Sequence, residues 1–198
     1  GCKSRYQLKS SSKPFVRRVV DSAYATMTAA ILSDSAPNLL LLHYDANWHV
    51  SSLILVPKFC FTIAAIQKRK PLGPLARRAE WVGCNIMLDA IPPDARIPIV
   101  HESQPVSQSS VRDAYNRLCP LVEIAPKFRG WALNVLTYAR MLQKAEFSLS
   151  EMCAFEVALR SIYPKNRNIR PKIRQQLQVL RDAGLVEFVG QGRYRFAT

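Results

Sequence analysis

From residue 130 onward, apolar residues recur every three to four positions in three successive runs and then switch to strict alternation. Few architectures accommodate that switch. GWALNVLTYARMLQK (130–144) is the first helical run. The second is SLSEMCAFEVALRSIY (148–163), where Ser148 stands at the N-cap and Glu151 at the capping-box position. KNRN (165–168) is a turn, and IRPKIRQQLQVLRDAG (169–184) is the third run. Pro171 is tolerable in its first turn, and Gly184 is its stop. LVEFVGQGRYRFA then gives two alternating strands around Gly190-Gln191-Gly192. Three helices followed by a hairpin is the order of a winged helix-turn-helix. Its expected core is Ile173, Leu177, Leu180, Leu185, Val186 and Phe188.

The first part of the chain reads differently. Apolar spacing over 15–32 (Val16, Val19, Val20, Ala23, Met27, Ala30, Ile31) predicts a helix packed on a sheet. LLLLHY (39–44) suits a strand buried on both faces, and HVSSLILV (49–56) the next strand. Residues 58–78 hold six basic residues and no acid, and Pro71, Gly73 and Pro74 keep much of that stretch in loop. WVGCNI (81–86) and IPIVH (97–101) read as short strands, and a helix is expected near 109–119. Pro120 and Pro126 flank a connector, which sets an expected boundary: residues 1–127 as one domain and 128–198 as another.

The 198 residues carry a net charge of +14, with 48% hydrophobic and 21% charged residues, a globular balance that excludes a wholly disordered chain. No apolar run approaches the ~20 residues of a membrane helix, and no basic amphipathic stretch suits a membrane surface. The charge calls for a polyanion, and nucleic acid is the expected partner. Each part contributes +7, from 16 basic and 9 acidic residues in 1–127 and from 12 and 5 in 128–198. Cys2, Cys60, Cys84, Cys119 and Cys153 are odd in number, far apart and without a Cys-x-x-Cys, which fits thiols of a cytoplasmic protein rather than a disulfide framework. No obligate protein partner is evident. His43, His49 and His101 have no catalytic partner in sight and are expected to be structural or surface residues.

A recognition helix presents its first turns to base edges. Here these turns carry Arg170, Lys172, Arg174, Gln175 and Gln176, with Asn168 at the N-cap. Arginine suits guanine and glutamine suits adenine. Arg193 and Arg195, separated by Tyr194, point to one face of the hairpin and suit backbone or minor-groove contact. In the first part, the candidate DNA contacts are Lys68, Arg69, Lys70, Arg77 and Arg78. Near the start stands Gln7-Leu8-Lys9 on an extended segment. Residues i and i+2 share a strand face, so Gln7 and the Leu8 carbonyl can help hold Mg²⁺ while Lys9 orients water and meets phosphorane charge.

The blocks DSAYATMTAAILSD, HYDANWHVSSLILVPK and QKRKPLGPLARRAEWVGCNI (residues 21–86), with IRQQLQVLRDAGLVEFVGQGRYR (173–195), resemble the DpnI-type, or Dam-replacing, methylation-dependent restriction endonucleases. The resemblance covers nearly the whole chain and implies an α+β protein: a PD-(D/E)XK nuclease domain, with a mixed sheet and flanking helices, followed by the winged helix. The family's Glu-x-Lys falls on Gln7-Leu8-Lys9, with Gln in place of Glu; nucleases of the Mrr type also use Gln-x-Lys. The family's metal-binding Asp lies upstream, beside a Cys₄ zinc site whose last cysteine Cys2 matches. The chain, which begins Gly1-Cys2, is therefore expected to lack the family's N-terminal quarter, with zinc belonging to the full-length member. Trp81 matches the family's tryptophan and is the candidate wall beside a methylated base. The implied activity is type IIM cleavage of both strands of duplex DNA at GATC containing N6-methyladenine, with Mg²⁺. The alternative is a methyl-GATC reader that does not cut. A regulator built on the winged helix alone leaves 21–86 unexplained.

Overall fold

The computed structural model describes residues 4–197. In chain order these form β1 (Tyr6–Ser11), β2 (Arg18–Ala23), α1 (Tyr24–Leu32), β3 (Asn38–Tyr44), β4 (Val50–Val56), β5 (Ile66–Lys68), β6 (Gly83–Met87), β7 (Ile97–His101), β8 (Gln104–Pro105) and α2 (Gln108–Leu118). There follow α3 (Pro126–Met141), β9 (Glu146–Ser148), α4 (Leu149–Cys153), α5 (Glu156–Ile162), α6 (Ile169–Asp182), β10 (Val186–Gly190) and β11 (Arg193–Phe196).

The largest sheet has the order β1-β3-β4-β7-β8. Only β1 and β3 run parallel, so the sheet is mixed and β1 is its edge. Parallel neighbours need a crossover, and β2 with α1 supplies it. β2 also pairs with β6 in a separate antiparallel sheet of order β2-β6-β5. In β3, Leu39 and Leu41 are buried, as the apolar run requires, opposite Val56 and Ile54 of β4. A mixed sheet with flanking helices plus a winged helix is the α+β class expected from the sequence.

The helix expected over 15–32 is shorter than its apolar spacing suggests. Residues 18–23 are strand, with Val19 and Asp21 buried and Val20 exposed. Adjacent β-branched valines favour strand, and the helix starts only at Tyr24. The second helix of the carboxyl part is also two pieces. Its ladder shifts to three-residue bonds at Ala154 and Phe155, where Phe155 turns onto the Tyr138 ring at 4.8 Å. The capping box at Ser148 forms as read, with Glu151 Oε2 accepting from the Ser148 backbone at 2.7 Å.

β9 pairs with β11, making the hairpin a three-stranded wing of order β10-β11-β9. Phe188 is a correction: it is half-exposed, because β10 runs past the core before its register shift, and it only meets Tyr194 edge-on at 5.4 Å. Ile173, Leu177, Leu180, Leu185 and Val186 are buried as expected.

Helix α3 packs to both sides. Arg129, on its first turn, is buried and donates to Asp34 Oδ1 (3.0 Å), Ile124 O (2.9 Å) and Val122 O (3.1 Å). Arg140 pairs with Asp94 at 2.7 Å and lies over the Phe196 ring of the wing at 3.6 Å. Trp131 stacks on Tyr163 at 3.8 Å.

Candidate active site

Along β1 burial alternates: Gln7 and Lys9 face inward, Tyr6 and Leu8 outward. The two polar side chains therefore share a face at the sheet edge, and the face is not apolar. It meets Asp21 of β2, which shares the inner face of its own strand with Val19. Asp21 Oδ1 takes three donors: the Lys9 ammonium at 2.8 Å, the Gln7 amide Nε2 at 3.1 Å and the backbone N–H of Ser22 at 2.8 Å. The Asp21 side chain is 1% exposed and that of Lys9 26%. Asp21 Oδ2 is buried with no hydrogen-bond partner. The sequence reading missed Asp21, since it lies twelve residues from Lys9 on another strand.

The Gln7 amide spends its N–H on Asp21, which leaves Oε1 without a hydrogen bond among the described residues. Together with the Leu8 carbonyl this is an oxygen-only donor set backed by one carboxylate, the kind a hard cation such as Mg²⁺ takes. Among the described residues no group of three or more His, Cys, Asp or Glu could hold a metal ion. Cys2 lies outside the described residues. The described cysteines are free thiols. Burial pushes the Cys60 thiol far above its ordinary range; burial also raises that of Cys84, with Asp21 adding to it.

The candidate DNA contacts separate into two groups. Lys68, Arg69, Lys70, Arg77 and Arg78 are exposed and form no ion pair among the described residues. They edge a loop whose base is tied by Leu72 N–H to Trp81 O (3.0 Å), Glu80 N–H to Leu72 O (3.1 Å) and Arg69 N–H to Gly83 O (3.0 Å). At the tip Leu75 is fully exposed. Trp81 is half-buried at the foot of this loop, with its ring against Gly83: a Cβ there would lie 2.7 Å from the indole. That contact explains why a glycine stands at 83.

The winged-helix cations are mostly engaged. Arg170 pairs with Glu156 at 2.6 Å, Arg195 with Glu187 at 2.6 Å and Arg193 with Glu146 at 3.5 Å. The Arg170 guanidinium holds the Glu156 carboxyl below its ordinary range. Lys172 donates to Gln175 Oε1 at 2.8 Å and stands 6.0 Å above the Trp131 ring. Arg174 and Asn168 are exposed, and the Asn168 side chain makes no cap bond. Gln176 is a correction: it is only 4% exposed and cannot reach a base. It lies on the stripe of Ile169, Ile173, Leu177 and Leu180, a position its spacing already marks as core. The turn before α6 forms an acid-free concavity of about 690 Å³ lined by residues 162–168, including Lys165 and Arg167.

Residues 1–123 match the Dam-replacing family. The chain belongs to that family. Residues 127–196 match the Dam-replacing HTH domain. The two matches make the chain a restriction-related, DNA-binding protein, and they run across both the Gln7–Lys9–Asp21 cluster and the winged helix. No helix among the described residues is long and apolar enough to cross a membrane.

Proposed function

We propose that this chain is a methylation-dependent type IIM restriction endonuclease, which hydrolyses phosphodiester bonds of duplex DNA at GATC containing N6-methyladenine. The observation that carries this reading is the convergence of Gln7, Lys9 and Asp21 at the edge of a mixed sheet, in a chain of the Dam-replacing family. In this proposal residues 1–127 cut and residues 128–198 add a second reading surface.

Lys9 stands at the open side of the cluster. Its ammonium is placed to orient the attacking water and to meet the negative charge that develops on the phosphorane. Gln7, held by its N–H on Asp21, turns its amide oxygen away from that carboxylate. Gln7 Oε1 and the Leu8 carbonyl would hold Mg²⁺, which supplies Lewis-acid polarisation of the phosphate when bound. Lys68, Arg69, Lys70, Arg77 and Arg78 bind the DNA backbone, and the Trp81 indole forms an apolar wall for the N6-methyl group. Arg170, Lys172, Arg174 and Gln175 offer base contacts, with Asn168, Arg193 and Arg195 on phosphate.

One observation favours the second reading, a methyl-GATC binding protein that does not cut. The cluster has a single carboxylate, shielded from solvent and engaged by three donors. Digestion of one plasmid, prepared with and without adenine methylation at GATC and incubated with Mg²⁺ or with EDTA, separates the two. The nuclease cuts only the methylated form, and only with Mg²⁺. Methyl-dependent binding without cutting leaves the reader, and equal binding of both plasmids overturns methyl recognition itself.

A further inference from the structure

Asp21 has no part in the triplet that drew attention to this site, yet it is the group on which the triplet converges. We propose that Asp21 is a positioning residue for the cleavage reaction: by accepting from both the Lys9 ammonium and the Gln7 amide, it fixes the side chains that act on the phosphate and the cation. The proposal rests on the nuclease reading above.

Three observations point this way. First, the geometry is one-sided: all three donors meet Oδ1, and Oδ2 is buried without a partner. A buried ion pair kept only for stability gains by satisfying both oxygens, and replacing it with apolar groups is often neutral or better. An oxygen left unsatisfied in the interior is costly and calls for an explanation in function. Second, the pair bridges two sheets, since β1 is the edge of the five-stranded sheet and β2 belongs to the three-stranded one. Third, the partners differ in access. The Asp21 side chain is closed to solvent at 1%, whereas that of Lys9 remains 26% exposed. The carboxylate is thus too enclosed to touch DNA, and its effect passes through the lysine and the glutamine. The register of β2 against β6 shifts just after Asp21, between Asp21 and Ala23, where the strand runs into α1.

The test uses Asp21→Asn in the full chain. Asparagine keeps the shape and one carbonyl oxygen but removes the charge. The expected result is a fall in kcat on a methylated GATC duplex of about 10- to 100-fold, the range seen when groups that orient a site are removed. KM and the Kd for the same duplex in EDTA stay within about twofold of the parent. On a Lys9→Met background, Asp21→Asn causes no further loss, because the residue it positions is gone. A readout without cleavage accompanies these: reductive dimethylation of lysine amines with ¹³C-formaldehyde and a borane reductant gives Lys9 a resonance, identified by its absence in Lys9→Met. In the parent this line is broad and shifted by the carboxylate, and in Asp21→Asn it sharpens and moves to the position of the exposed lysines.

Parental kcat in Asp21→Asn overturns the proposal, and so does a Lys9 resonance that does not change. A joint loss of kcat, DNA affinity and thermal stability assigns Asp21 to the fold alone and equally overturns it. If Asp21→Asn does not fold, Asp21→Glu carries the same test, since it keeps the charge but displaces Lys9 by one methylene; unchanged kcat is then the contrary result. A parent that binds methylated duplex without cutting it defeats the nuclease reading and takes this proposal with it. A cutting parent with an indifferent Asp21→Asn defeats this proposal alone.

Discussion

Gln7 stands where the resemblance expects a glutamate, and its surroundings show how an amide is accommodated. Its N–H donates to Asp21 Oδ1 at 3.1 Å. Glutamate at position 7 loses that donor and sets two carboxylates side by side. Gln7→Glu is therefore expected to destabilise the chain by about 1–3 kcal/mol, the cost of a buried acceptor losing its partner. Urea unfolding of parent and variant measures the difference. Mg²⁺ is expected to raise the melting temperature of Gln7→Glu more than that of the parent, since a cation offsets the paired charges. Arg129 makes the contrasting case of a residue whose charge serves the fold. Its side chain is 3% exposed and bound to Asp34 and two backbone carbonyls. Truncation to alanine leaves the two carbonyls unpaired and Asp34 with Lys58 as its remaining cation, with an expected cost of about 3 kcal/mol. Thermal unfolding that shifts by less than a degree or two would show that water replaces the guanidinium without loss.

Individual elements differ in how plainly the sequence announced them. The carboxyl-terminal helices were legible because each carries its own local signals: a capping box at Ser148, a 3.6-residue stripe from Ile169 to Leu180, a glycine after the last turn. The β2 strand was not, because Val16, Val19 and Val20 satisfy helical spacing while adjacent β-branched residues also suit a strand, and only pairing with β6 decides between them. The Gln7-Leu8-Lys9 triplet was legible for the same local reason as the helices, whereas Asp21 depends on where another strand passes. Two element-scale expectations follow. Glu151 of the capping box is pulled down to about 2 by the Lys144 ammonium and by the Ser148 N–H and hydroxyl. Its lowered value means it favours the folded state above its ordinary 4.5 and that this help is lost as pH falls toward 2. The difference in urea midpoint between parent and Glu151→Gln should therefore be full at pH 7 and shrink steadily below pH 4.5. At the basic loop, Gly83→Ala places a methyl 2.7 Å from the Trp81 ring. Displacing that ring is expected to cost about 1–3 kcal/mol in stability and to reduce the preference for methylated over unmethylated duplex, read by fluorescence anisotropy. An unchanged preference would show that the indole faces the core and not the base.

Across the whole molecule the net charge of +14 divides evenly by count but not by availability. The cations of the 68–78 loop lack ion pairs among the described residues, while Arg170, Arg193 and Arg195 are each held by a carboxylate. Phosphate contacts release counterions, so each contributes about 0.9 to the slope of log affinity against log salt. The double variant Arg77→Ala, Arg78→Ala is expected to lower that slope by close to two such contacts, and Arg195→Ala by less than one, because its gain on binding is reduced by parting from Glu187. Equal slopes for the two variants would contradict this division. The α3 helix, with Arg129 reaching Asp34 on one side and Arg140 the wing on the other, joins the two surfaces into one continuous core.

The most direct measurement is single-turnover cleavage of a duplex carrying one N6-methylated GATC, with Mg²⁺, by the parent and by Lys9→Met, alongside the affinity of each for the same duplex in EDTA. The parent is expected to cut both strands, and Lys9→Met to bind equally well and leave the duplex intact. A Lys9→Met protein that cuts at the parental rate, or a parent that binds the methylated site and never cuts, would contradict the account.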